Sequence, residues 1–325
     1  MKNTPCLLFA VLLLMTLFGC SQNRVKNENG FVKKVININV DNNYTAVILQ
    51  IIKIKDLLAP LLPDDVIVEW SALQSGLNMR DAMVAGSVDI AAPASSFVIP
   101  AIENGLPLRI ISNGTSGNAR LISTKEHINS VSDLTANSRI TVSSIGSIPH
   151  MQFVLHCRDI LGNASIFNNG LVSVPNVDAI ALMQTSRDYD AFILSFPSYS
   201  LLPLGFDYHI IGDLTQTAVK YNIGSYITTT DEFGRNNPVL LKAFKTASER
   251  AVDLLLNKTD EMAILLADFY DVDAVLIADV IRECPPKLEI SGYDDISALM
   301  LELGILSKPP KKFSELPNYD EIPKE

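Results

Sequence analysis

Ser143-Ser144-Ile145-Gly146-Ser147 lies between the apolar run Arg139–Ser143 and a helical pattern that begins at Pro149. Strand, Gly/Ser loop and helix in that order leave backbone N–H groups free at the helix's positive end, a setting that accepts an oxyanion such as a carboxylate. The same residues also suffice as a plain helix cap. His150 falls in the first turn of that helix, where it points either at a ligand or away from it. Ser147 and His150 stand one turn apart with no acid identified to orient the imidazole, so they do not make a nucleophile and base.

Other polar groups follow apolar runs that read as strands. Asp41-Asn42-Asn43-Tyr44 offers a carboxylate, two amides and a phenol, or a solvated helix cap. Trp70, the single tryptophan, precedes Ser71; its indole can stack on a planar ligand or pack between strand and helix. Ser95 and Ser96 either cap a helix or present hydroxyls. Asn113-Gly114-Thr115 stands where the chain crosses between two units. Ser195-Phe196-Pro197-Ser198 would face Ser143 across a cleft. In open parallel sheets ligands sit at the carboxyl ends of the strands, which selects these segments. None of the loops contains Lys or Arg, so anion selection would rest on N–H groups and hydroxyls. A neutral or zwitterionic heterocycle fits them equally well.

Metal chemistry has no support. There is no CxxC or HExxH, and His127, His150, His156 and His209 lack ligand spacing. No cofactor is expected. The net charge of −10 argues against nucleic acid, which requires clustered Lys and Arg.

The positioning elements alternate. Strands are predicted at 35–40, 66–70, 88–92 and 108–112, with helices at 44–62, 79–85 and 97–104. Gly86 and Gly105 are expected to close the last two in the left-handed conformation. A second set follows: strands at 139–143, 171–174, 190–195 and 208–211, helices at 149–161 and 177–185. One more strand, 222–230, leads into helices at 238–257, 260–270, 272–282 and 296–303. Alternation of this kind implies mostly parallel sheets flanked by helices, here in two α/β units. A cleft between them suits a small ligand.

The chain opens with Lys2, an apolar run from Leu7 to Phe18, then Gly19-Cys20. A basic start and an apolar core of about a dozen residues read as an export signal. The run is shorter than the ~20 residues that span a bilayer. Leu17-Phe18-Gly19-Cys20 resembles the bacterial lipobox, which implies lipidation of Cys20 and an anchor on a membrane face; Phe18 is bulkier than usual there. An ordinary cleaved signal or an apolar helix is the alternative. Polar residues 21–30 read as a flexible tether. Of the remaining cysteines, Cys157 and Cys284 are expected as separate buried thiols, although one disulfide is compatible with an oxidising compartment.

Three segments in order carry a family resemblance. They are Val68-Glu69-Trp70 with Asp81-Ala82-Met83-Val84-Ala85-Gly86-Ser87-Val88-Asp89-Ile90, then Asn104-Gly105-Leu106-Pro107-Leu108-Arg109-Ile110-Ile111. The third is Val131-Ser132-Asp133-Leu134 with Arg139-Ile140-Thr141-Val142 and Gly146-Ser147-x-x-His150. The chain resembles the solute-binding proteins of ABC importers for sulfonates, taurine, nitrate and thiamine-precursor pyrimidines, from about residue 35 to 303.

The resemblance implies the periplasmic binding protein type 2 fold, two α/β lobes with mixed sheets joined by a two-strand hinge. It divides the chain into a signal peptide (1–19), lipidated cysteine and tether (20–33), a discontinuous first lobe (34–113 with 222–308), a second lobe (114–221) and a tail (309–325). It implies a non-enzymatic protein whose partners are a small-molecule ligand and an ABC permease with its ATPase, and it places ligand contacts at Ser143, Ser144, Gly146 and Ser147. The rivals are a pyrimidine- or menaquinone-pathway enzyme on the same fold, or a ligand-sensing lobe.

Overall fold

The computed structural model describes residues 24–26, 32–73, 75–203 and 205–316. The expected signal peptide, the lipidation site Cys20 and most of the tether lie outside the described residues, as does the end of the tail.

The first lobe begins with β1 (Arg24–Lys26), β2 (Val32–Asn39), α1 (Val47–Ile54), β3 (Val66–Ser71), α2 (Gly76–Val84), α3 (Ser95–Glu103) and β4 (Leu108–Ser116). The chain then crosses into β5 (Ala119–Ser123), β6 (Ile140–Val142), α4 (Ile148–Leu161), β7 (Leu171–Ser173), α5 (Asn176–Thr185), β8 (Ala191–Ser195), β9 (His209–Asp213) and α6 (Leu214–Tyr221). It returns through β10 (Gly224–Thr230) and ends in α7 (Asp231–Asn236), α8 (Pro238–Asn257), α9 (Thr259–Tyr270), α10 (Ala274–Glu283) and α11 (Tyr293–Glu302).

β2 and β3 run parallel, with Ile38 opposite Trp70. Ile90 bridges β2 in parallel, and Ala91 bridges Thr228 of β10 in antiparallel sense. β10 pairs antiparallel with β4. The first-lobe sheet therefore continues from β3 through residues 90–91 to β10 and β4. The second-lobe sheet has the order β7-β6-β8-β5-β9, parallel among β6, β7 and β8 and antiparallel around β5. Both sheets are mixed, and β4 and β10 are the two strands through which the chain passes between lobes.

The largest core lies under the first lobe. In α8, Leu240, Leu241, Phe244, Ala247, Ala251 and Leu255 recur at three- and four-residue intervals and are buried, the spacing that places them on one helix face. They pack with Ile48, Leu49, Ile51 and Ile52 of α1 and Ile277 and Ile281 of α10. Cys284 belongs to this core and Cys157 to the second-lobe core. Both are free thiols, and burial pushes each up to about 12.

Three expectations differ from the structure. Residues 44–62 do not form one helix: α1 stops at Ile54, Asp56 adopts φ +46°, and only single 3-10 turns flank it. The left-handed Asp56 ends α1, with the Asp56 and Leu57 N–H groups donating back to the carbonyls of Lys53 and Ile52. Residues 88–92 make isolated bridges rather than a strand. β1, inside the expected tether, pairs antiparallel with residues 32–34.

β5 and α6 were not foreseen. Ala119, Leu121 and Ile122 are all buried in the middle of a sheet, so β5 lacks the alternation that marks a half-exposed strand. In α6 the polar Thr215, Gln216 and Thr217 hide the helical period; Asp213 caps it by accepting from the Thr215 N–H. Gly86 and Gly105 do take left-handed φ values, +74° and +82°.

Candidate functional site

Between the lobes is a cavity of about 320 Å³, at the small end of the range for sites that hold small molecules. The first lobe lines it with Asp41, Asn43, Tyr44 and Thr45 after β2, Ser75, Gly76 and Met79 at the start of α2, and Ala92, Pro93, Ala94 and Phe97 at the start of α3. The crossing contributes Gly117 and Asn118. The second lobe adds Ser143 and Ser144 after β6, Ser147, Ile148, Pro149 and Gln152 at the start of α4, Asn176 after β7, and Ser195 and Phe196 after β8. Most of these segments begin where a parallel strand ends, as the topology of open parallel sheets requires.

Three of the helices that open on the cavity, α3, α4 and α5, start without a side-chain cap. Ser147 stands at the cap position of α4, yet its hydroxyl donates to the Ser144 carbonyl at 2.7 Å and lies 3.4 Å from the Ser143 hydroxyl. The helix starts thus present partial positive charge and polar groups to the cavity.

Asp41 is 5% exposed. Its carboxylate accepts from the Asn43 N–H at 3.1 Å and the Asn43 Nδ2 at 2.8 Å. Gln50, fully buried in α1, holds the loop by donating from Nε2 to the carbonyls of Asp41 (2.9 Å) and Asn43 (3.0 Å), and the Tyr270 hydroxyl donates to Gln50 Oε1. Desolvation outweighs the hydrogen bonds and raises the Asp41 carboxyl to about 6. Among the described residues, Asp41 is the sole charged side chain lining the cavity.

The floor of the cavity joins both lobes. Phe196, from the second lobe, packs edge-on against Tyr44 and Tyr270 of the first at centroid distances of 6.2 and 5.3 Å. Tyr44 donates its hydroxyl to the Cys284 carbonyl at 2.8 Å, and burial pushes its phenol well above the ordinary value. Gln152 Nε2 donates to the Gly117 carbonyl at 2.8 Å. Asn176 Nδ2 donates to the hydroxyls of Ser195 and Ser198, 3.1 Å each.

Of the residues singled out in the sequence, Asn43, Tyr44, Ser143, Ser144, Ser147 and Ser195 line the cavity. Ser198 stands directly behind Asn176. The structure does not bring the others to the cavity wall. Asn42 is exposed outside it. Trp70 packs on the first-lobe core with Lys53 Nζ 5.9 Å from its ring, and Ser71 donates to Asn39 Oδ1 at 3.1 Å, fixing the turn after β3. The indole is half-buried against that core and does not reach the cavity.

Ser95 and Ser96 are buried within α3 with unpartnered hydroxyls. Asn113 donates to Asn222 Oδ1 at 3.2 Å, and Thr115 is buried in β4. Gly146 turns the loop at φ +84° and donates its N–H to His150 Nδ1 at 3.1 Å. Desolvation lowers His150 to about 4, so the imidazole is a neutral loop brace and lies outside the lining.

Gly117, Asn118, Gln152, Asn176 and Phe97 were missed. Asn176 follows the strand predicted at 171–174, where the strand-end rule points. Gln152, a polar residue one turn into an apolar helix face, was the other legible signal. Among the described residues no cluster of three or more His, Cys, Asp or Glu could hold a metal, and no helix is long and apolar enough to cross a membrane.

This architecture is the periplasmic binding protein fold, two α/β lobes around a cavity, and solved structures share it. The periplasmic aliphatic sulphonate-binding protein SsuA from Escherichia coli superposes with a TM-score of 0.69 at 18% identity, over 85% of this chain and 94% of that one. The ligand-binding component of an ABC-type import system from Staphylococcus aureus, solved with zinc bound, gives 0.72 at 12% identity over 90% and 100%. The periplasmic nitrate-binding protein NrtA from Synechocystis PCC 6803 gives 0.55 at 15% over 75% and 69%. No protein-family model and no curated protein matches the chain by sequence.

Proposed function

We propose that this chain is an extracytoplasmic solute-binding lipoprotein of an ABC importer. It captures a small polar organic solute between its lobes and delivers it to a permease coupled to an ATPase. The first lobe is assigned residues 34–113 and 222–308, the second 114–221, and the anchor is lipid on Cys20. The observation that carries this reading is the cavity itself: polar strand ends and uncapped helix starts from both lobes line one shared space. Hinge closure would complete the site, with the ligand favouring the closed form by its differential affinity.

The enzyme alternative draws nothing from Ser147 and His150. The Ser147 hydroxyl donates to a carbonyl, and His150 Nδ1 accepts a backbone N–H.

A thermal-shift screen tests the proposal on the full chain in detergent, with sulfonates, nitrate, pyrimidines, flavins and amino acids. A binder at 100 times its dissociation constant stabilises by about 2.7 kcal/mol and raises the melting temperature. No shift from any compound, and none co-purifying, defeats it. Cys20→Ser tests the anchor: the protein is expected in the soluble fraction after cell lysis, with ligand affinity unchanged. Retention on membranes would mean another attachment.

A further inference from the structure

The sulphonate- and nitrate-binding proteins that share this fold take oxyanions, which offer hydrogen-bond acceptors. The uncapped helix starts of this cavity suit such a ligand, but its lining also holds a group for the opposite charge. Its sole charged lining residue among those described is a buried carboxylate, Asp41, and the partners of that carboxylate are the neutral N–H and amide of Asn43. An ionised carboxylate can accept about four hydrogen bonds, so capacity remains. No Lys, Arg or His among the described residues lines the cavity to balance the charge.

Two further lining residues carry buried acceptors. Gln152 is fully buried and its Oε1 has no partner. Its orientation is fixed, because the other end of the amide must donate to the Gly117 carbonyl. Asn176 Oδ1 is likewise buried and unpartnered. Buried acceptors without donors are unfavourable, and two lining one cavity with an uncompensated carboxylate call for a donor-rich guest.

We propose that the solute carries a protonated nitrogen, an ammonium or amidinium, that docks on Asp41, with Gln152 and Asn176 as acceptors for its remaining N–H or O–H groups. Monocations and zwitterions both satisfy this; a bare oxyanion does not, since it brings negative charge and no donor. The inference rests on the cavity being the solute site, and it narrows the class of solute.

Matched pairs of probes differing by one amino group provide the test: ethanesulfonate against 2-aminoethanesulfonate, propionate against 3-aminopropionate, and 1-propanol against 3-aminopropan-1-ol. Calorimetry and thermal shift on the full chain in detergent should show the aminated member of at least one pair binding tenfold or more tighter than its partner. Asp41→Asn should erase that preference. Asn176→Ala, which leaves Asp41 in place, should weaken the aminated probe severalfold while preserving the preference. An unaminated probe or nitrate binding as tightly as any aminated one overturns the inference and leaves solute binding intact, and so does a preference that survives in Asp41→Asn. Silence from every probe here and in the broader screen overturns the solute-binding reading, and this inference with it.

Discussion

Asp41 and His150 are both displaced from their ordinary ionisation by burial, and in opposite senses. The folded chain holds a proton on Asp41 up to about pH 6, whereas the unfolded chain releases it near 4. The contribution of Asp41 to stability therefore falls as pH rises from about 4 to about 6, then stays constant. His150 stays neutral down to about pH 4, while the unfolded imidazole takes up a proton near 6.5. Its contribution falls as pH drops from about 6.5 to about 4. The two largely offset each other in the same window. Tyr44 and Tyr270, beside Asp41, are pushed up and stay neutral there. Urea denaturation between pH 4 and 7 should show Asp41→Asn losing stability on acidification more steeply than wild type, and His150→Gln less steeply. Parallel curves for all three proteins would refute both shifts.

Among the elements, the β4–β10 pair carries the strictest demand. Gly224 pairs with Ser116 where the register slips, and a Cβ on it would stand 1.9 Å from the Thr115 carbonyl oxygen. Backbone cannot yield as a side chain does, so Gly224→Ala should destabilise by about 1–3 kcal/mol, read as a lower urea midpoint. An unchanged midpoint would show that the strands can part at no cost.

The strand pair matters because its neighbours are tied to it. Asn222, at the end of α6 in the left-handed conformation, accepts from Asn113 and donates to the Ser291 carbonyl at 3.0 Å. Asn113 therefore braces the crossing from inside, beside Thr115, which is buried in β4. Their polarity reads in the sequence as ligand chemistry because a buried structural amide and a ligand-facing one have the same side chain.

Across the whole molecule, a polar clasp spans the lobes beside the cavity. Arg120 of β5 pairs with Glu283 at the end of α10 at 2.6 Å and with Asp213 at 2.9 Å, contacts Thr215, and stands 5.6 Å from the Tyr199 ring. Asn118 donates to Glu283 at 3.1 Å and accepts from the Tyr199 hydroxyl at 2.5 Å. Glu283 is more than a third exposed, so solvent screens the pair and its coupling should be about 1 kcal/mol. A double-mutant cycle of Arg120→Met and Glu283→Gln measures it. Zero coupling would reduce the clasp to independent contacts, leaving apolar packing, including Phe196 on Tyr44 and Tyr270, to tie the lobes.

Local chemistry wrote much of this into the sequence. Periodicity marked α8, α4 and the parallel strands; Gly86, Gly105 and Gly162 marked helix ends; strand ends named Asn43, Tyr44, Ser143, Ser144, Ser147 and Ser195. These signals are short-range, fixed by backbone preference and side-chain spacing within a few residues. Only the tertiary structure decided that Trp70 packs on the core, that Gly117 and Asn118 reach the cavity, and that among the described residues Asp41 stands there without a cation. Those facts depend on which segments far apart in the chain come to share one space, and on the desolvation and charge that packing imposes on them. No window of neighbouring residues contains that information.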